Sequence, residues 1–406
     1  MIKRELYLKR IRPLIDTDFI KVIIGMRRCG KTVFLKSIID ELIEKGVKPE
    51  NIIYISFESV KYKNIFTEKE LDELILKLTK DIKGKIYLLF DEIQQVNNWE
   101  KCINGYRVDL ESDIYITGSN SKLLSNELAT LLSGRYIKIN LYPFSFKEII
   151  EYKIENENLI LNTENKKKIF QEYLLYGGMP GLLSIKEIDN KVNALQDIYD
   201  SIIIHDVLSR YNIKNIGLFK RFSYYLMNST GQTFSKTSIT KYLKNENKKT
   251  NRNTISNYTN YMTEALFCKQ VRREDILGKK ILKTEEKYYL TDHGFHHSLI
   301  DDNNNWIPRI LENIVFNELI RRNYSVKIGK IKKHEIDFVC KKHDKKVYIQ
   351  VCYLLATPET IDREFSPLFE VPDKFDTYVL SMDEINLSKN GIKHKNIIDF
   401  LLDDEI

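Results

Sequence analysis

VIIGMRRCGKT, residues 22–32, is the segment that decides the fold of the N-terminal part of this sequence. Three apolar residues lead into a glycine, four variable residues and then Gly30, Lys31 and Thr32, so every fixed position of the pattern G-x-x-x-x-G-K-[ST] is filled. Glycines let a backbone curve around an anion, and the helix that follows points its positive N-terminal end at the same anion. The segment therefore predicts a loop that binds phosphate groups.

The residues of this loop have expected parts in binding MgATP. Lys31 is expected to contact the β- and γ-phosphates, and the hydroxyl of Thr32 is expected to bind Mg²⁺. The candidate nucleotide-binding residues are Gly25, Arg28, Cys29, Gly30, Lys31, Thr32 and Val33. A chance match is the alternative, but an apolar strand precedes the loop and an amphipathic helix follows it.

A second segment, KIYLLFDEIQ at residues 85–94, supplies the acidic groups that such a loop needs. Its apolar strand ends in Asp91 and Glu92, at the sheet edge where the phosphates of a nucleotide would lie. Asp91 is predicted to hold the Mg²⁺ ion, and Glu92 to polarise the water that attacks the γ-phosphate. The alternative is a helix cap, because acidic residues are common where a helix begins.

Two further polar residues are candidates for the catalytic site. Asn120 follows the strand candidate that ends in ITGSN, and it either contacts the γ-phosphate and the water or caps the next predicted helix. Arg135, in LSGRY, either neutralises charge on a γ-phosphate, in its own chain or in a neighbouring subunit, or lies in a surface turn. The predicted catalytic residues are thus Glu92, Lys31, Asn120 and Arg135.

The first 140 or so residues alternate strand patterns with helix patterns. The strand candidates are KVIIG (21–25), NIIYISF (51–57), KIYLLFD (85–91), DIYITGS (113–119) and YIKINLY (136–142). The helical patterns cover residues 32–44, 68–80 and 120–132. This alternation predicts an α/β domain, residues 1–145, with a parallel sheet covered by helices on both faces.

Three further domains are predicted after this one. Residues 146–228 read as a helical lid domain that begins at the capping box of Ser145 and Glu148. Residues 229–300 read as helix, turn, helix and hairpin, which is the outline of a winged helix. Residues 306–406 read as a small α/β domain, and the polar run DDNNN at 301–305 is the expected boundary before it.

The second helix of the predicted winged helix has an apolar face and a polar face. The polar face carries the candidate DNA-binding residues Arg252, Asn253, Ser256, Asn257 and Asn260. Asparagine and arginine form bidentate hydrogen bonds with base edges. Residues 229–290 hold 13 lysines and arginines against 6 acidic residues, whereas the whole chain has a net charge of only +7. Double-stranded DNA is therefore a candidate partner; a protein partner and a lysine-rich coding bias are the alternatives.

The last domain carries two carboxylates in a pattern that resembles the core of PD-(D/E)xK nucleases. Glu312 lies on a predicted helix and Asp337 on a predicted strand, but the next strand reads Gln350-Val-Cys352 where the resemblance implies Glu-x-Lys. Glutamine brings no negative charge to a metal, and cysteine cannot replace the ammonium of the lysine. The resemblance implies a restriction-endonuclease-like fold with a degenerate site at Glu312, Asp337 and Gln350. Three alternatives stay open. The site binds Mg²⁺ weakly and cleaves DNA, the domain is a binding fold that has lost the reaction, or Asp337 is a purely structural carboxylate.

Composition excludes several other classes of protein. A hydrophobic content of 43% is enough for packed cores, and the five cysteines form no C-x-x-C pair that would indicate zinc or disulfides. No apolar run approaches the ~18 residues of a membrane span, and the N-terminal MIKRELYLKR has no apolar core of a signal peptide. We therefore expect a cytoplasmic protein that makes no membrane contact.

In this order and at these intervals, GMRRCGKT, LLFDEIQ, YITGSNS, SGRY and LYPFSFKEI resemble the prokaryotic AAA-type P-loop ATPases that carry a C-terminal domain of unknown function. The later segments GGMPG, TISNYTNYM and KYYLTDHG extend the resemblance over essentially the whole chain. It implies an ASCE-type sheet, a helical lid, a winged helix and an ATP-driven switch without an established client. Relatives of the AAA type often form rings, so a homo-oligomer is also expected.

The function expected from these observations is that of a Mg²⁺-dependent ATPase whose hydrolysis cycle repositions the C-terminal modules on DNA. One alternative is a metal-dependent nuclease that is licensed by ATP. The other is a non-enzymatic switch in which ATP only orders a protein interface.

Overall fold

The computed structural model describes residues 2–120, 132, 134–245, 250–278, 280–300 and 306–406. Most of the helix predicted over 120–132, the turn at 246–249 and the boundary at 301–305 lie outside the described residues. The chain forms two compact units. The first extends to Pro143 and includes Glu264–Leu266, and the second contains Phe144–Thr263 and Phe267–Ile406.

The first unit is built on a five-stranded parallel sheet. Its strands are β1 (Ile20–Ile24), β2 (Ile52–Ser56), β3 (Ile86–Asp91), β4 (Ser112–Gly118) and β5 (Tyr136–Asn140). They lie in the order β2-β3-β4-β1-β5, and every neighbouring pair is parallel. The predicted parallel α/β sheet is thereby confirmed. All five carboxyl ends lie at one edge, which we call the carboxyl edge.

Helices cover both faces of this sheet. The helices described in the first unit are α1 (Glu5–Ile11), α2 (Lys31–Glu44), α3 (Glu68–Thr79) and α4 (Trp99–Asp109). Strand β1 shows why two layers are needed, because Val22 and Ile24 join one hydrophobic core while Ile23 joins the other. A strand that is buried on both faces reads as a continuous apolar run, as VII does here.

The second unit begins with a helical region, residues 146–228, and contains further helices later in the chain. Its helices are α5 (Phe146–Glu157), α6 (Thr163–Tyr176), α7 (Ile188–Ile202), α8 (Ile216–Asn228), α9 (Lys236–Asn245), α10 (Arg252–Glu264), α11 (Gly294–Leu299), α12 (Ile307–Arg321), α13 (Pro358–Phe369) and α14 (Ile397–Leu402). The capping box that begins α5 is present, because the amide of Glu148 donates to Ser145 Oγ at 3.1 Å and the amide of Ser145 donates to Glu148 Oε2 at 2.8 Å.

An eight-stranded mixed sheet completes the second unit. Its strands are β6 (Thr233–Phe234), β7 (Cys268–Asp275), β8 (Lys280–Leu290), β9 (Ser325–Ile331), β10 (His334–Lys342), β11 (Lys345–Val351), β12 (Asp376–Ser381) and β13 (Lys393–Asn396). Their order is β13-β12-β11-β10-β9-β7-β8-β6. The hairpin of the predicted winged helix, β7 and β8, is therefore hydrogen-bonded through β7 and β9 to the strands of the predicted nuclease-like domain. The division into four domains stays a prediction.

A buried carboxylate connects two loops of the second unit. Asp292 accepts hydrogen bonds of 2.9 Å from the amides of Gly178 and Gly294. Burial raises the pKa of this carboxyl to about 6 although both amides favour its charged form. The contact joins the GGMPG segment to the TDHG segment. Glycine is required at both donors, because a Cβ atom would lie 2.1 Å from the carbonyl oxygen of Phe144 at Gly178 and 2.2 Å from that of Tyr176 at Gly294.

Among the described residues, no helix has the length and apolar character that crossing a membrane requires.

Candidate functional site

The loop between β1 and α2 has the backbone that its glycines predict. A Cβ atom on Gly25 would lie 2.4 Å from the carbonyl oxygen of Leu141 and 2.6 Å from Cys29 Sγ, so no larger residue fits there. Gly30 has φ 99°, which is a left-handed conformation that favours glycine. Helix α2 begins at the next residue, so its N-terminal end faces the space that the loop surrounds.

Lys31 lies inside this loop and is buried. Its Nζ donates to the carbonyl oxygens of Gly25 at 3.1 Å and Met26 at 3.4 Å. The same ammonium lies 3.1 Å from Glu92 Oε1. The structure thus brings the predicted phosphate-binding lysine and the predicted water-activating carboxylate into direct contact.

Thr32 and Asp91 meet in the same way. The hydroxyl of Thr32 donates to Asp91 Oδ2 at 2.8 Å, and the hydroxyl of Thr117 on β4 donates to Asp91 Oδ1 at 2.7 Å. Mg²⁺ prefers oxygen ligands and keeps several of its waters. A threonine hydroxyl and a carboxylate that converge from two elements fit that preference, so these residues can hold the ion that the fold implies.

Glu92 is held in a specific and unusual conformation. It has φ 55°, and its amide donates to Thr117 Oγ1 at 2.9 Å. Gln94 donates from Nε2 to Glu92 Oε2. Burial opposes ionisation of this carboxyl, but Lys31 and the hydrogen bond from Gln94 outweigh burial, so the pKa of Glu92 lies below its ordinary value. Glu92 is therefore a carboxylate at neutral pH, as activation of a water requires.

A third carboxylate, which the sequence reasoning missed, lies near Glu92. Glu58 follows β2 at the carboxyl edge and lies 3.8 Å from Arg27 of the loop. Burial, and then repulsion by Glu92, raises the pKa of Glu58 above its ordinary value. The sequence offers one weak signal for Glu58, which is its position directly after a strand whose neighbour ends in Asp91.

The structure separates the two remaining catalytic candidates. Asn120 is buried two residues after β4, at the carboxyl edge. Arg135 precedes β5, whose first residue pairs with Ile20 at the start of β1. It therefore lies about 13 Å along the strands from the carboxyl edge. Its side chain donates to Asn104 Oδ1 at 3.0 Å, so the structure does not bring Arg135 to the phosphate loop of its own chain.

The other predicted loop residues have different environments. Arg28 is exposed with φ 65°, and Val33 is 47% exposed at the start of α2. Cys29 is buried, and burial raises the pKa of its thiol. Its carbonyl oxygen accepts from Arg4 at 3.3 Å, a support from the chain before α1 that the sequence reasoning also missed.

The three residues of the nuclease-like pattern also come together, in the second unit. Asp337 Oδ2 accepts from the amide of Val351 at 2.8 Å, and Gln350 Oε1 accepts from the amide of Asp337 at 3.2 Å. Glu312 Oε1 accepts from Tyr289 at 2.5 Å. Among the described residues, no group of three or more histidine, cysteine or acidic side chains is arranged to hold a metal ion. Burial, and then repulsion by Glu312, raises the pKa of Asp337 well above its ordinary value.

Helix α10 has the two faces that its sequence predicts. Ile255, Tyr258 and Met262 are buried. Of the candidate DNA-binding residues, Ser256 is half-buried and accepts from Lys236 at 3.4 Å. The exposed candidates are Arg252, Asn253, Asn257 and Asn260.

A phosphate loop after the first strand, an acidic pair after β3 and the strand order β2-β3-β4-β1-β5 together define an AAA-type P-loop domain. The sequence profile of a family described as AAA domain matches residues 17–150, and that of a domain of unknown function, DUF8612, matches residues 167–305.

An uncharacterized protein of Haemophilus influenzae is 38% identical over 405 residues, which are 99% of each chain. The uncharacterized protein MJ1544 of Methanocaldococcus jannaschii is 36% identical over 87% of this chain and 78% of its own. The chain belongs to the family of these proteins, and its own residues 17–150 match the AAA domain.

Solved structures align with low scores. The ORC2 protein of Aeropyrum pernix shares 11% identity with a TM-score of 0.40, over 78% of this chain and 92% of its own. DnaA from Aquifex aeolicus shares 17% identity with a TM-score of 0.34, over 65% of this chain and 90% of its own. Alignments of this score do not bear on function.

Proposed function

We propose that this protein binds MgATP and hydrolyses it, and that the hydrolysis cycle repositions the C-terminal modules on DNA. The observation that carries the proposal is the pair of contacts across the phosphate loop, Lys31 with Glu92 and Thr32 with Asp91. They bring a cation for phosphates, two oxygen ligands for a metal and a carboxylate for a water together at the carboxyl edge of the sheet. These are the parts that phosphoryl transfer to water needs.

Each side chain has a defined task in this reaction. Lys31 exchanges its contacts with the loop carbonyls and Glu92 for contacts with the β- and γ-phosphates. Thr32 and Asp91 would hold Mg²⁺, which supplies neutralisation of phosphate charge when it is bound. Glu92, released from Lys31, accepts a proton from the attacking water while Gln94 keeps its carboxylate in place.

Replacing Lys31 by alanine is expected to weaken ATP binding about 10–150-fold, because charged hydrogen bonds to phosphate contribute ~1.5–3 kcal/mol. The measurement is titration calorimetry with ATP and Mg²⁺, combined with steady-state turnover of ATP. Lys36→Ala is the matched control, since Lys36 is an exposed lysine on the same helix. Equal affinities of Lys31→Ala and Lys36→Ala would contradict the assignment of the phosphate site.

The proposed contact with DNA depends on helix α10. Arg252, Asn253, Asn257 and Asn260 are exposed on one face and are able to donate to base edges, while the buried face fixes the helix in its unit. A helix with this distribution of residues matches the recognition helix of a winged helix.

Replacing Asn257 by alanine is expected to weaken binding to a preferred duplex about tenfold, since one bidentate base contact contributes ~1–3 kcal/mol. The slope of log affinity against log salt should not change, because asparagine carries no charge. Fluorescence anisotropy of a duplex selected from a random pool measures both quantities. Asn156→Ala on α5 is the control, as Asn156 is an exposed helical asparagine away from this face. A wild-type chain that binds no duplex at any salt concentration would instead favour the ATP-gated protein switch.

The position of Arg135 supports a homo-oligomer within this proposal. Since Arg135 lies away from the carboxyl edge of its own sheet, its guanidinium would reach the γ-phosphate only of a nucleotide on a neighbouring subunit. The in-chain role is disfavoured by this geometry, whereas the role between subunits, which we propose, and a plain surface turn both stay open.

A further inference from the structure

A lysine that belongs to the predicted winged-helix hairpin lies among the carboxylates of the nuclease-like pattern. Lys287 Nζ is 2.9 Å from Glu312 Oε1, 2.8 Å from Glu335 Oε1 and 3.9 Å from Asp337 Oδ1. Its side chain is only 6% exposed. We call Glu312, Glu335 and Asp337 the carboxylate cluster.

The shape of the sheet explains how Lys287 reaches this cluster. Strand β8 is not a neighbour of β10, because β7 and β9 lie between them in the sheet. The hairpin of β7 and β8 has an irregularity in register between Val271 and Arg273, and the hairpin of β9 and β10 has one between Ile336 and Val339. Bulges bend strands and redirect side chains. Tyr289 of β8 lies 5.7 Å from Phe338 of β10, ring centre to ring centre, although two strands lie between β8 and β10.

Each carboxylate of the cluster already has at least one partner from the protein. Glu312 accepts from Lys287 and Tyr289, Asp337 accepts from the amide of Val351, and Arg273 is paired with Glu335. The carbonyl oxygen of Gln350, the one neutral oxygen that the pattern could offer a metal, accepts from the amide of Asp337. With Lys287 in contact with the cluster, these residues do not fit the divalent cation that a nuclease-like fold implies.

We propose that the ammonium of Lys287 takes the place of that cation. Together with Arg273, which is paired with Glu335, it offsets the negative charge of the cluster from within the chain. It thereby connects the predicted winged-helix hairpin to the C-terminal strands, so this centre operates without metal and does not cleave DNA. The ammonium of Lys287 contacts Glu312 and Glu335 directly, and the guanidinium of Arg273 adds a second positive charge at Glu335. Buried charges are stable only when they are paired in this way. The proposal is independent of ATP hydrolysis, since the site lies on other residues.

Exchanging Lys287 for methionine tests the proposal by removing the internal cation and keeping an unbranched side chain that is one atom shorter. Bound Mn²⁺ is counted by electron paramagnetic resonance in the full chain without nucleotide, for the wild type, Lys287→Met, Asp337→Asn and Lys287→Met/Asp337→Asn. Lys327→Met is the matched control, because Lys327 is an ion-paired lysine of the same sheet, 2.6 Å from Glu274. Any Mn²⁺ at Thr32 and Asp91 is common to all variants and cancels in the comparison.

We expect Lys287→Met to bind one Mn²⁺ per chain more than the wild type, and the double variant and Lys327→Met to bind no more than the wild type. Wild type and Asp337→Asn should bind equal amounts of Mn²⁺ and should leave plasmid DNA intact with Mn²⁺ and ATP. A folded Lys287→Met chain without the additional ion would overturn the proposal. Mn²⁺ binding or plasmid cleavage that is present in the wild type and absent in Asp337→Asn would also overturn the proposal. The comparison of the wild type with Asp337→Asn tests the proposal even if Lys287→Met does not fold.

Discussion

A chain with glutamine in place of Glu92 is expected to turn over ATP ~10²–10⁴ times more slowly than the wild type, which is the usual contribution of a general base. The amide of glutamine has nearly the shape of the carboxylate but accepts no proton at neutral pH. Binding of ATP should not weaken in this variant. The ion pair of 3.1 Å between Lys31 and Glu92 must be given up when Lys31 moves to the phosphates, and the variant has no such pair to break.

Two measurements separate binding from chemistry. Calorimetry gives the ATP affinity, and a single-turnover experiment with enzyme in excess gives the rate of the chemical step. Glu58→Gln is the informative control, because Glu58, whose side chain is 52% exposed, is a further carboxylate at this end of β2 and β3. If Glu92→Gln hydrolysed ATP at the wild-type rate while Glu58→Gln did not, the general base would be Glu58.

The centre of the nucleotide site was predictable because its residues are local in sequence. Glycine, lysine and threonine positions follow a fixed spacing, and Asp91 and Glu92 end a strand that the apolar run IYLLF identifies. The supporting residues are not local. Thr117 binds both Asp91 and Glu92 from the neighbouring strand β4, and no pattern in the sequence states that β3 and β4 are adjacent. Gln94 was visible in the segment DEIQ, but only coordinates show that it donates to Glu92.

The fold, like the site, was predictable where the pattern is local in sequence and not where it depends on distant residues. The five strands of the first unit were predicted to within two residues at each end, because each is an apolar run. Helix α4 was missed although its buried residues recur at helical spacing, since its central Gly105 lowers helix propensity; these residues are Trp99, Cys102, Ile103 and Tyr106. The joining of β7 to β9 was not predictable either. It depends on three residue pairs that are more than 50 positions apart in sequence, as Arg273 with Ile328 shows. The contact of Lys287 with the carboxylate cluster depends on that joining.

Replacing Gly177 by alanine is expected to lower the free energy of unfolding of the second unit by about 3–5 kcal/mol. Gly177 has φ 71° and ψ −156°, a region of backbone space that is essentially restricted to glycine. A Cβ atom there would lie 1.8 Å from Asp292 Oδ1 and 2.9 Å from the amide nitrogen of Gly294. The carboxylate of Asp292 cannot move away without losing the hydrogen bonds from Gly178 and Gly294, which would leave a buried carboxyl and two buried amides unpaired.

The chain provides its own probe and its own control for this prediction. Of its two tryptophans, Trp99 lies in the first unit and Trp306 in the second. In a Trp99→Phe chain, the tryptophan fluorescence comes from Trp306 alone, so its change with urea follows the unfolding of the second unit. Gly181→Ala is the matched control from the same GGMPG segment, because a Cβ atom at Gly181 meets nothing within 4 Å. A large shift of the unfolding midpoint in Gly177→Ala, beside a shift near zero in Gly181→Ala, would show that backbone conformation and the Asp292 contact, rather than glycine content, determine stability here. Equal midpoints would mean that Asp292 does not hold this loop.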